Sequence, residues 1–517
     1  MSSICSVKSI EHVGEDVLQM IFKLLEVEDL ENCEAVCRQW RAILHAGTPW
    51  RRLFNRRVIY FFPLLRQALK KLDIEDCKPE KVIGSKPPER GEELNLKMKP
   101  SQYRDVCKNV LEVRRNWRTA KFTKWSHGPP ENSCACYLEI GDDYVSWNVE
   151  IHENDERRKG CFFVDTTAES MKMTELCSVF HFQVLDGTGR PHWLHENRSG
   201  LVTVEIHQPG TDCILNLSSQ EADGYIYHPT RFTGKQFICY SSCGGGDQGR
   251  LRIWTLENSQ LILTHDHTRD GCRKLKMLDV DEKFLMASDL LQSNEEPGKT
   301  FRFFDPETFE PVRAFSVLAN VSCKYQRGLL FEHRVDAGTY RVLDVASGTH
   351  FNSAMLSPLR KEGEVAFIKG FICTISFNSS VIVISSVSES RSPDMQSHPF
   401  LTHFSVYDLE VVKNGKHDSC CSPLYILQFP LLTTDWEMDE TRLAVMGTYG
   451  PDFTYLGNRL VIVLNFSSSP PLAMLTKKET PVEASASDST SDGGRAVYVQ
   501  ETANVEMTVF KDLSVCG

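Results

Sequence analysis

The stretch VGEDVLQMIFKLLEVEDLENCEAVCRQWRAILHAGTPWRRL, residues 13–53, decides the N-terminal part of the fold. Its first apolar residues have the three- and four-residue spacing of one helix face: Leu18, Ile21, Phe22 and Leu25. A second helix is predicted to begin with Asp29 as its N-cap and to bury Leu30, Cys33, Cys37, Trp40 and Leu44. Thr48 as N-cap and Pro49 as first residue predict a third helix, which continues the apolar face through Trp50, Leu53 and Phe54. Three short helices around a small core are expected.

This stretch resembles the F-box. In that family an opening Leu-Pro, an Ile in the first helix, a Val-Cys-Arg-x-Trp run and a later Trp recur, and the matching residues here are Ile21, Val36, Cys37, Arg38, Trp40 and Trp50. The family's opening Leu-Pro is replaced by Val13-Gly14. Glycine lacks the fixed φ and the ring of proline, so weaker adaptor binding than is typical of the family is expected.

The resemblance implies that an apolar face of the helices binds a Skp-type adaptor, which a cullin scaffold then joins. The residues expected to contribute, some of them through the core, are Val13, Leu18, Ile21, Leu30, Val36, Cys37 and Trp40. Such a module does no chemistry and needs no cofactor, because it acts by holding a target near the ubiquitin-charged enzyme. The alternative is an ordinary helical hairpin in which Ile21, Val36 and Trp40 are only core residues.

Residues 56–120 are expected to form a helical linker with a flexible, charged and proline-rich loop near residues 77–100. The last linker helix has an apolar stripe at helical spacing: Tyr103, Val106, Val110, Val113 and Trp117. Its end, with Asn116, Trp117 and Arg118, is similar to the Asn-Trp-Arg segment through which F-box/WD-repeat proteins enter their propeller.

Beyond residue 125 the helical period gives way to short β-branched and aromatic runs broken by turn residues. Five runs share a pattern of strand, polar residue, turn and strand: CFFVDTTAESMKM from Cys161, LRIWTLENSQLIL from Leu251, FRFFDPETFEPVRAF from Phe301, YRVLDVASGTHF from Tyr340 and FSVYDLEVVKNG from Phe404. Weaker candidates begin at Leu201, Arg459 and Val505. Each strong run resembles the end of a WD repeat, although only Trp254 stands at the family's tryptophan position.

The predicted fold is therefore a multidomain chain: a small all-α F-box at residues 10–55, linker helices, and an all-β propeller of about seven blades over residues 121–517. A ring of small sheets buries the faces that a single sheet leaves open. A double-sheet sandwich is the alternative on pattern alone. The segment near residues 480–495 is low in apolar residues and is expected to be a disordered excursion.

Composition excludes several classes of function. The 517 residues exceed one compact core, and 69 acidic against 58 basic residues give a net charge of −11, which disfavours nucleic acid as a partner. No long apolar run that could span a membrane is present, so no membrane partner is expected. The 18 scattered cysteines favour a reducing compartment, cytoplasmic or nuclear, and the pairs Cys134/Cys136 and Cys420/Cys421 lack the spacing of a structural zinc site.

Signals for catalysis are weak, and a non-catalytic subunit is expected. The PGKT of Pro297–Thr300 lacks the first glycine of a phosphate loop, the SSCGGGDQG from Ser241 reads as a connecting loop, and the HDH of His265–His267 as a polar loop. The protein substrate remains unassigned, phosphorylated or not. Arginines that could read a phosphate, none preferred over the others, are Arg231, Arg250, Arg252, Arg269, Arg273 and Arg334. The alternative function is a propeller scaffold for protein interactions outside ubiquitin transfer.

Overall fold

A computed structural model of the chain describes residues 14–59, 61–72 and 98–127, the strands and turns given below between residues 133 and 467, and residues 496–500 and 507–510. The chain divides into two compact units. The helical unit comprises Met1–Phe122 with Phe466–Ser469, and the β unit comprises Thr123–Asn465 with Pro470–Gly517. Of the segments predicted to be loop or disordered, residues 77–97 and 480–495 lie outside the described part of the chain.

The helical unit contains short helices followed by one long helix. In chain order they are α1 (Glu15–Phe22), α2 (Val27–Val36), α3 (Arg38–His45), α4 (Thr48–Leu53), a π-helical turn (Phe54–Val58), α5 (Phe62–Lys71) and α6 (Pro100–Thr119). Trp50, Leu53 and Phe54 are fully buried, as the predicted third helix requires. The predicted stripe of α6 is buried along its whole length, from Tyr103 to Trp117.

The predicted second helix is two helices. Its apolar spacing continues through Cys37, but Cys37 is extended (φ −156°, ψ 168°) and ends α2. The Cys37 Sγ accepts the backbone N–H of Trp40 at 3.5 Å and so caps α3, which gives the chain a corner at this point. Two caps also differ from expectation: α2 begins two residues before Asp29, and Gly47, at φ +86°, takes the N-cap position expected for Thr48.

The end of α6 holds a distant segment of the helical unit. The Asn116 side chain donates a hydrogen bond to the backbone carbonyl of Phe466 at 3.0 Å, and both groups are buried. The Trp117 ring stacks on the Phe466 ring with centroids 3.6 Å apart. Asn116 and Trp117, singled out by the Asn-Trp-Arg resemblance, therefore bind residues about 350 positions further along the chain.

The described strands of the β unit form seven antiparallel sheets, numbered here in chain order. Sheet 1 contains β2 (Ser133–Ile140), β3 (Tyr144–Glu153), β4 (Glu156–Asp165) and β5 (Met171–Leu176); sheet 2 contains β6 (His192–Glu196), β7 (Val202–Gln208) and β8 (Thr211–Leu215). Sheet 3 contains β9 (Tyr225–Phe232), β10 (Gln236–Cys243), β11 (Gln248–Glu257) and β12 (Gln260–Asp270); sheet 4 contains β13 (Leu275–Val280), β14 (Leu285–Asp289), β15 (Gly298–Phe304) and β16 (Pro311–Leu318).

The remaining sheets follow the same up-and-down order. Sheet 5 contains β17 (Val321–Gln326), β18 (Leu329–Arg334) and β19 (Thr339–Asp344); sheet 6 contains β20 (Ile375–Phe377), β21 (Val381–Glu389), β22 (Phe400–Asp408) and β23 (Tyr425–Phe429), with the short helix α7 (Leu409–Asn414) after β22. Sheet 7 contains β24 (Leu432–Met438), β25 (Arg442–Thr448) and β26 (Arg459–Asn465), and its fourth strand is β1 (Thr123–His127) from the start of the unit. Two late strands, β27 (Ala496–Gln500) and β28 (Met507–Phe510), extend sheet 6 beyond β23.

From sheet 3 onward, successive sheets share hydrophobic cores in their described side chains, and sheet 7 shares one with sheet 1. Ile253 of sheet 3 packs with Ala287 of sheet 4, Phe303 of sheet 4 with Leu330 of sheet 5, and Phe331 of sheet 5 with Ile384 of sheet 6. The Phe404 and Trp436 rings join sheets 6 and 7, and a further cluster joins sheet 7 to Trp147 of sheet 1. Seven small sheets, packed on one another in the described side chains from sheet 3 through sheet 7 to sheet 1, form a β-propeller as predicted, and not two large facing sheets as in a sandwich.

The five strong repeats predicted from the sequence occupy one structural position. They supply β4, β11, β15, β19 and β22, which are the third strands of sheets 1, 3, 4, 5 and 6. Asp305 follows β15, and Asp344 and Asp408 are the last residues of β19 and β22. Each carboxylate accepts backbone N–H groups of the residues that come next, at 2.9 Å from Glu307 in the first case. The aspartate of the repeat therefore stabilises a turn.

The weaker candidates behave differently from one another. The run from Leu201 gives β7 and β8 in sheet 2, and the run from Arg459 gives β26, the third strand of sheet 7. The run from Val505 does not form a blade, because β28 is added to sheet 6. Among the described helices, none is both long and apolar enough to cross a bilayer.

Candidate functional site

Helix α1 has two apolar stripes, and only one of them is buried. Its N-cap is Gly14, whose carbonyl accepts the N–H groups of Val17 and Leu18. Glu15 and Asp16 lie in the first turn, where negative charge is stabilised by the positive end of the helix dipole. Leu18 and Phe22 are buried in the helical unit. The other stripe is solvent-exposed, with exposed fractions of 46% for Val17, 62% for Met20, 44% for Ile21 and 69% for Leu24 in the turn that follows. These four residues are called the exposed stripe below.

The turn that carries Leu24 is fixed from the π-helical turn of the same unit. The Arg56 guanidinium donates to the backbone carbonyls of Leu24 at 3.3 Å and Leu25 at 3.0 Å. It also pairs with the Glu26 carboxylate at 3.1 Å. Because an arginine fork holds several acceptors in a defined geometry, Leu24 is presented on an ordered backbone.

The corner between α2 and α3 presents a fifth exposed apolar residue. Val36, the last residue of α2, is 55% exposed. Next to it in the chain, Cys37 is half-buried and caps α3. Trp40 is also half-buried, with its ring edge-on to Phe22 at 5.2 Å, and its indole N–H has no hydrogen-bond partner.

Helix α2 is held against α6 by a series of ion pairs. Lys108 pairs with Glu31 at 3.1 Å, Arg115 with Glu28 at 3.0 Å, and Arg104 lies 3.9 Å from Glu34. Each such pair is partly exposed and contributes little alone. Together they match acidic positions of α2 to basic positions of α6 in antiparallel order.

The seven residues predicted to bind an adaptor separate into groups. Ile21 and Val36 are exposed, Cys37 and Trp40 are half-buried, and Val13 lies outside the described residues. Leu18 and Leu30 are fully buried in the helical unit, so they are among the members expected to contribute through the core and not by direct contact. Neither can contact a partner without unfolding the unit.

Three residues of the exposed stripe were missed by the sequence analysis: Val17, Met20 and Leu24. With Ile21 they stand at i, i+3, i+4 and i+7, the same helical spacing as the stripe that was recognised. The signal was present as a second apolar stripe displaced by one residue. A helix that is apolar on two faces in a small unit indicates that one face is covered by a partner.

Among its described residues, the β unit presents no site that compares with the exposed stripe. Burial raises the pKa of the Cys323 thiol to about 12 and lowers the pKa of His403 to about 4, so near neutral pH the thiol is protonated and the imidazole is neutral. Within the described ranges, no group of three or more His, Cys, Asp and Glu residues could hold a metal ion. The PGKT segment enters strand β15 at Gly298, where a phosphate loop would enter a helix.

The HDH segment lies in strand β12, not in a loop as predicted. The His265 and His267 rings stack at 5.7 Å, and Asp266 accepts hydrogen bonds from Arg250 at 2.6 Å and Arg252 at 3.4 Å. The Arg250 hydrogen bond holds the pKa of Asp266 below its ordinary value. The pairing of β11 with β12 brings Arg250 and Arg252 to a carboxylate of the neighbouring strand. The sequence analysis did not predict this cross-strand pairing.

Of the other arginines considered for phosphate recognition, only Arg269 has a described side chain. Arg269 pairs with Glu310 at 3.0 Å, and Arg231 and Arg334 lie in β9 and β18. Arg273 is outside the described residues. Recognition of a phosphorylated substrate therefore remains a prediction.

Residues 15–56 match the F-box-like family. They include α1 to α4 with the exposed stripe, Val36 and the Cys37 corner. The match covers a small part of the 517 residues, so it identifies a domain and leaves the family of the whole chain open. No curated protein matches the chain in sequence.

Solved propeller structures resemble the chain weakly. The Dos1 propeller is 10% identical, with 68% of this chain and 97% of that chain covered at a TM-score of 0.37. The β-propeller domain of the trilobed protease from Pyrococcus furiosus is 6% identical, with 66% and 97% covered at a TM-score of 0.39. A prolyl endopeptidase is 9% identical at a TM-score of 0.35, and the match spans 66% of this chain and about half, 55%, of that chain. The fold assignment accordingly rests on the sheet order and packing described above.

Proposed function

We propose that this chain is the substrate-recognition subunit of a Skp-cullin-F-box ubiquitin ligase. Its F-box-like helices bind the Skp-type adaptor, the adaptor joins the cullin scaffold, and the propeller binds the protein to be ubiquitinated. The observation that carries the proposal is the exposed stripe, an apolar surface on the first helix of the segment that matches the F-box-like family.

The exposed stripe supplies enough apolar surface for a stable contact. Burial of a fully exposed large apolar side chain contributes about 1.5 to 3 kcal/mol. Met20 and Leu24 are the most exposed members, and the ordered backbone at Leu24 reduces the entropy lost on binding. Val36 and the half-buried Trp40 extend the apolar residues on the F-box-like segment.

The subunit is proposed to be non-catalytic. It raises the effective concentration of the target near the ubiquitin-charged enzyme and supplies no nucleophile. The β unit is proposed to consist of degenerate WD repeats, supported by the aspartates at the ends of the third strands, whose carboxylates accept backbone N–H groups of the next residues. The reducing compartment favoured by the free cysteines is proposed to be the cytoplasm, the nucleus or both.

The test is reconstitution of the full chain with the Skp-type adaptor and a cullin. A Met20→Asp and Leu24→Asp double variant places two charges on the exposed stripe, and an Ile262→Asp variant makes the same change at an exposed residue of the β unit. We expect the parent and Ile262→Asp chains to co-purify with the adaptor and cullin, and the double variant to lose both. Absence of adaptor binding by the parent would leave a propeller scaffold that acts outside ubiquitin transfer.

A further inference from the structure

The C-terminal strands β27 and β28 are additional to the propeller. Sheets 1, 3, 4 and 7 have four strands each, and sheet 6 already has four in β20 to β23. Sheet 7 obtains its fourth strand from β1 at the start of the unit. The chain then returns from sheet 7 to the preceding sheet, where β28 pairs with β23 and β27 pairs with β28. The hairpin of β27 and β28 therefore covers an outer edge that belongs to a complete blade.

Strand β23 is an ordered edge onto which a further strand can be added. Tyr425, Leu427 and Phe429 are buried, and on its inner side β23 pairs with residues 402–406 of β22. Its outer edge presents backbone N–H and C=O groups that need partners, as every sheet edge does. The pairing with β22 fixes the position of β23 independently of the hairpin.

The C-terminal hairpin satisfies that edge over a short length. The pairs are Ile426 with Phe510, Leu427 with Val509 and Gln428 with Thr508, three against the five between β22 and β23. Residues 466–495 lie between β26 and β27 in the sequence. The hairpin is therefore joined to sheet 7 by a long segment and not by a tight turn. A short ladder on a tethered segment can open without disturbing the four strands of the blade.

We propose that the outer edge of β23 is a strand-accepting site for an extended segment of a partner protein. Residues 507–510 of this chain occupy it in cis, and the partner segment replaces them antiparallel to β23. Main-chain hydrogen bonds supply most of the affinity, and the preferred ligand is an uncharged β-forming run comparable to Met507–Phe510. If the ligase function is correct, the site is a mode of client binding, but strand exchange itself does not depend on the F-box.

The direct test uses a fluorescent peptide with the sequence of residues 504–513 and the full chain in three forms. Val509→Pro in the chain removes a backbone donor from β28 and weakens the hairpin, and Val509→Ala retains the donor as the matched control. We expect the Val509→Pro chain to bind the peptide roughly a hundredfold more tightly than the parent or Val509→Ala chain, because an intramolecular competitor has been weakened. A peptide carrying proline at the Val509 position should bind none of them.

Two peptide results would overturn the proposal. Binding of the parent and proline peptides with equal affinity would show that the contact is not a strand pairing. Failure of the peptide to bind a Val509→Pro chain that still unfolds cooperatively would show that the β23 edge does not accept strands in trans. The Skp-type adaptor should bind all three chains equally, which separates this outcome from a failure of the F-box assignment.

Hydrogen exchange of the unaltered chain provides a second measurement that needs no variant. Amides of residues 507–510 and 426–428 should exchange by local opening, faster than those of β21 and β22, and excess peptide should leave 426–428 protected while 507–510 open. Exchange of residues 507–510 only with global unfolding would overturn the proposal, because the hairpin would then be a fixed part of the blade.

Discussion

Removing the two most exposed side chains of the exposed stripe should abolish most of the adaptor affinity without unfolding the chain. Met20 and Leu24 are 62% and 69% exposed, so substitution by alanine takes little from the interior. Alanine also has the highest helix propensity, and surface changes of this kind usually shift stability by less than about 0.5 kcal/mol. The full chain with Met20→Ala and Leu24→Ala should therefore melt at the temperature of the parent.

The expected loss of affinity follows from those exposed fractions. Each substitution removes about three methylene equivalents, at about 0.8 kcal/mol for each that is fully buried on binding. Scaled by the exposed fractions, the two changes together remove about 3 kcal/mol, which is about a hundredfold in Kd. Aspartate at the same positions should weaken binding further, because a charge would then be buried without a partner.

Titration calorimetry of the full chain with the purified Skp-type adaptor measures this change directly. The matched control is Ile262→Ala with Val312→Ala, which removes exposed apolar atoms from the β unit and should leave Kd unchanged. A second control, Leu18→Ala, should cost about 2 to 5 kcal/mol of stability, because Leu18 is buried. Unchanged affinity in the Met20→Ala and Leu24→Ala chain would refute the assignment of the exposed stripe as the adaptor-binding surface.

Three further predictions concern stability of the full chain. Gly14 has φ −58° with no atom within 4 Å of an added Cβ, so Gly14→Pro should raise the free energy of unfolding in urea by about 0.4 to 1 kcal/mol. Gly47 has φ +86°, so Gly47→Ala should lower the free energy of unfolding. Burial lowers the pKa of His403 from 6.5 to about 4, so the unfolded chain binds more protons between those pH values. Stability should fall by up to about 3 kcal/mol as pH drops through that window, and a His403→Gln chain that shows the same slope would contradict this. Trp117→Ala should cost about 3 to 5 kcal/mol in thermal denaturation, against about 0.5 kcal/mol or less for exposed Arg115→Ala.

Local sequence pattern predicted the repeating units of the β unit well. The five strong runs became third strands of five sheets because alternation and a turn-forming residue are local properties that survive in the folded chain. The run from Val505 was misassigned because the same local pattern forms a strand wherever an open edge accepts it. The edge that it joins is formed by residues far away in the chain, such as Ile426. Local sequence spacing does not indicate which distant strand a run will pair with.

The helical unit shows a different limit, at Cys37 and in α1. Apolar spacing runs from Leu30 to Leu44 without interruption, and only the extended backbone and thiol cap at Cys37 divide it. In α1, both apolar stripes have helical spacing, and spacing alone does not indicate which stripe the unit buries. That depends on where the other helices lie. The stripe left outside is the informative one: a folded unit that leaves Met20 and Leu24 in water on an ordered helix and turn forgoes burial that a partner can complete. The adaptor-binding surface that we propose thus consists of apolar residues that the fold does not need.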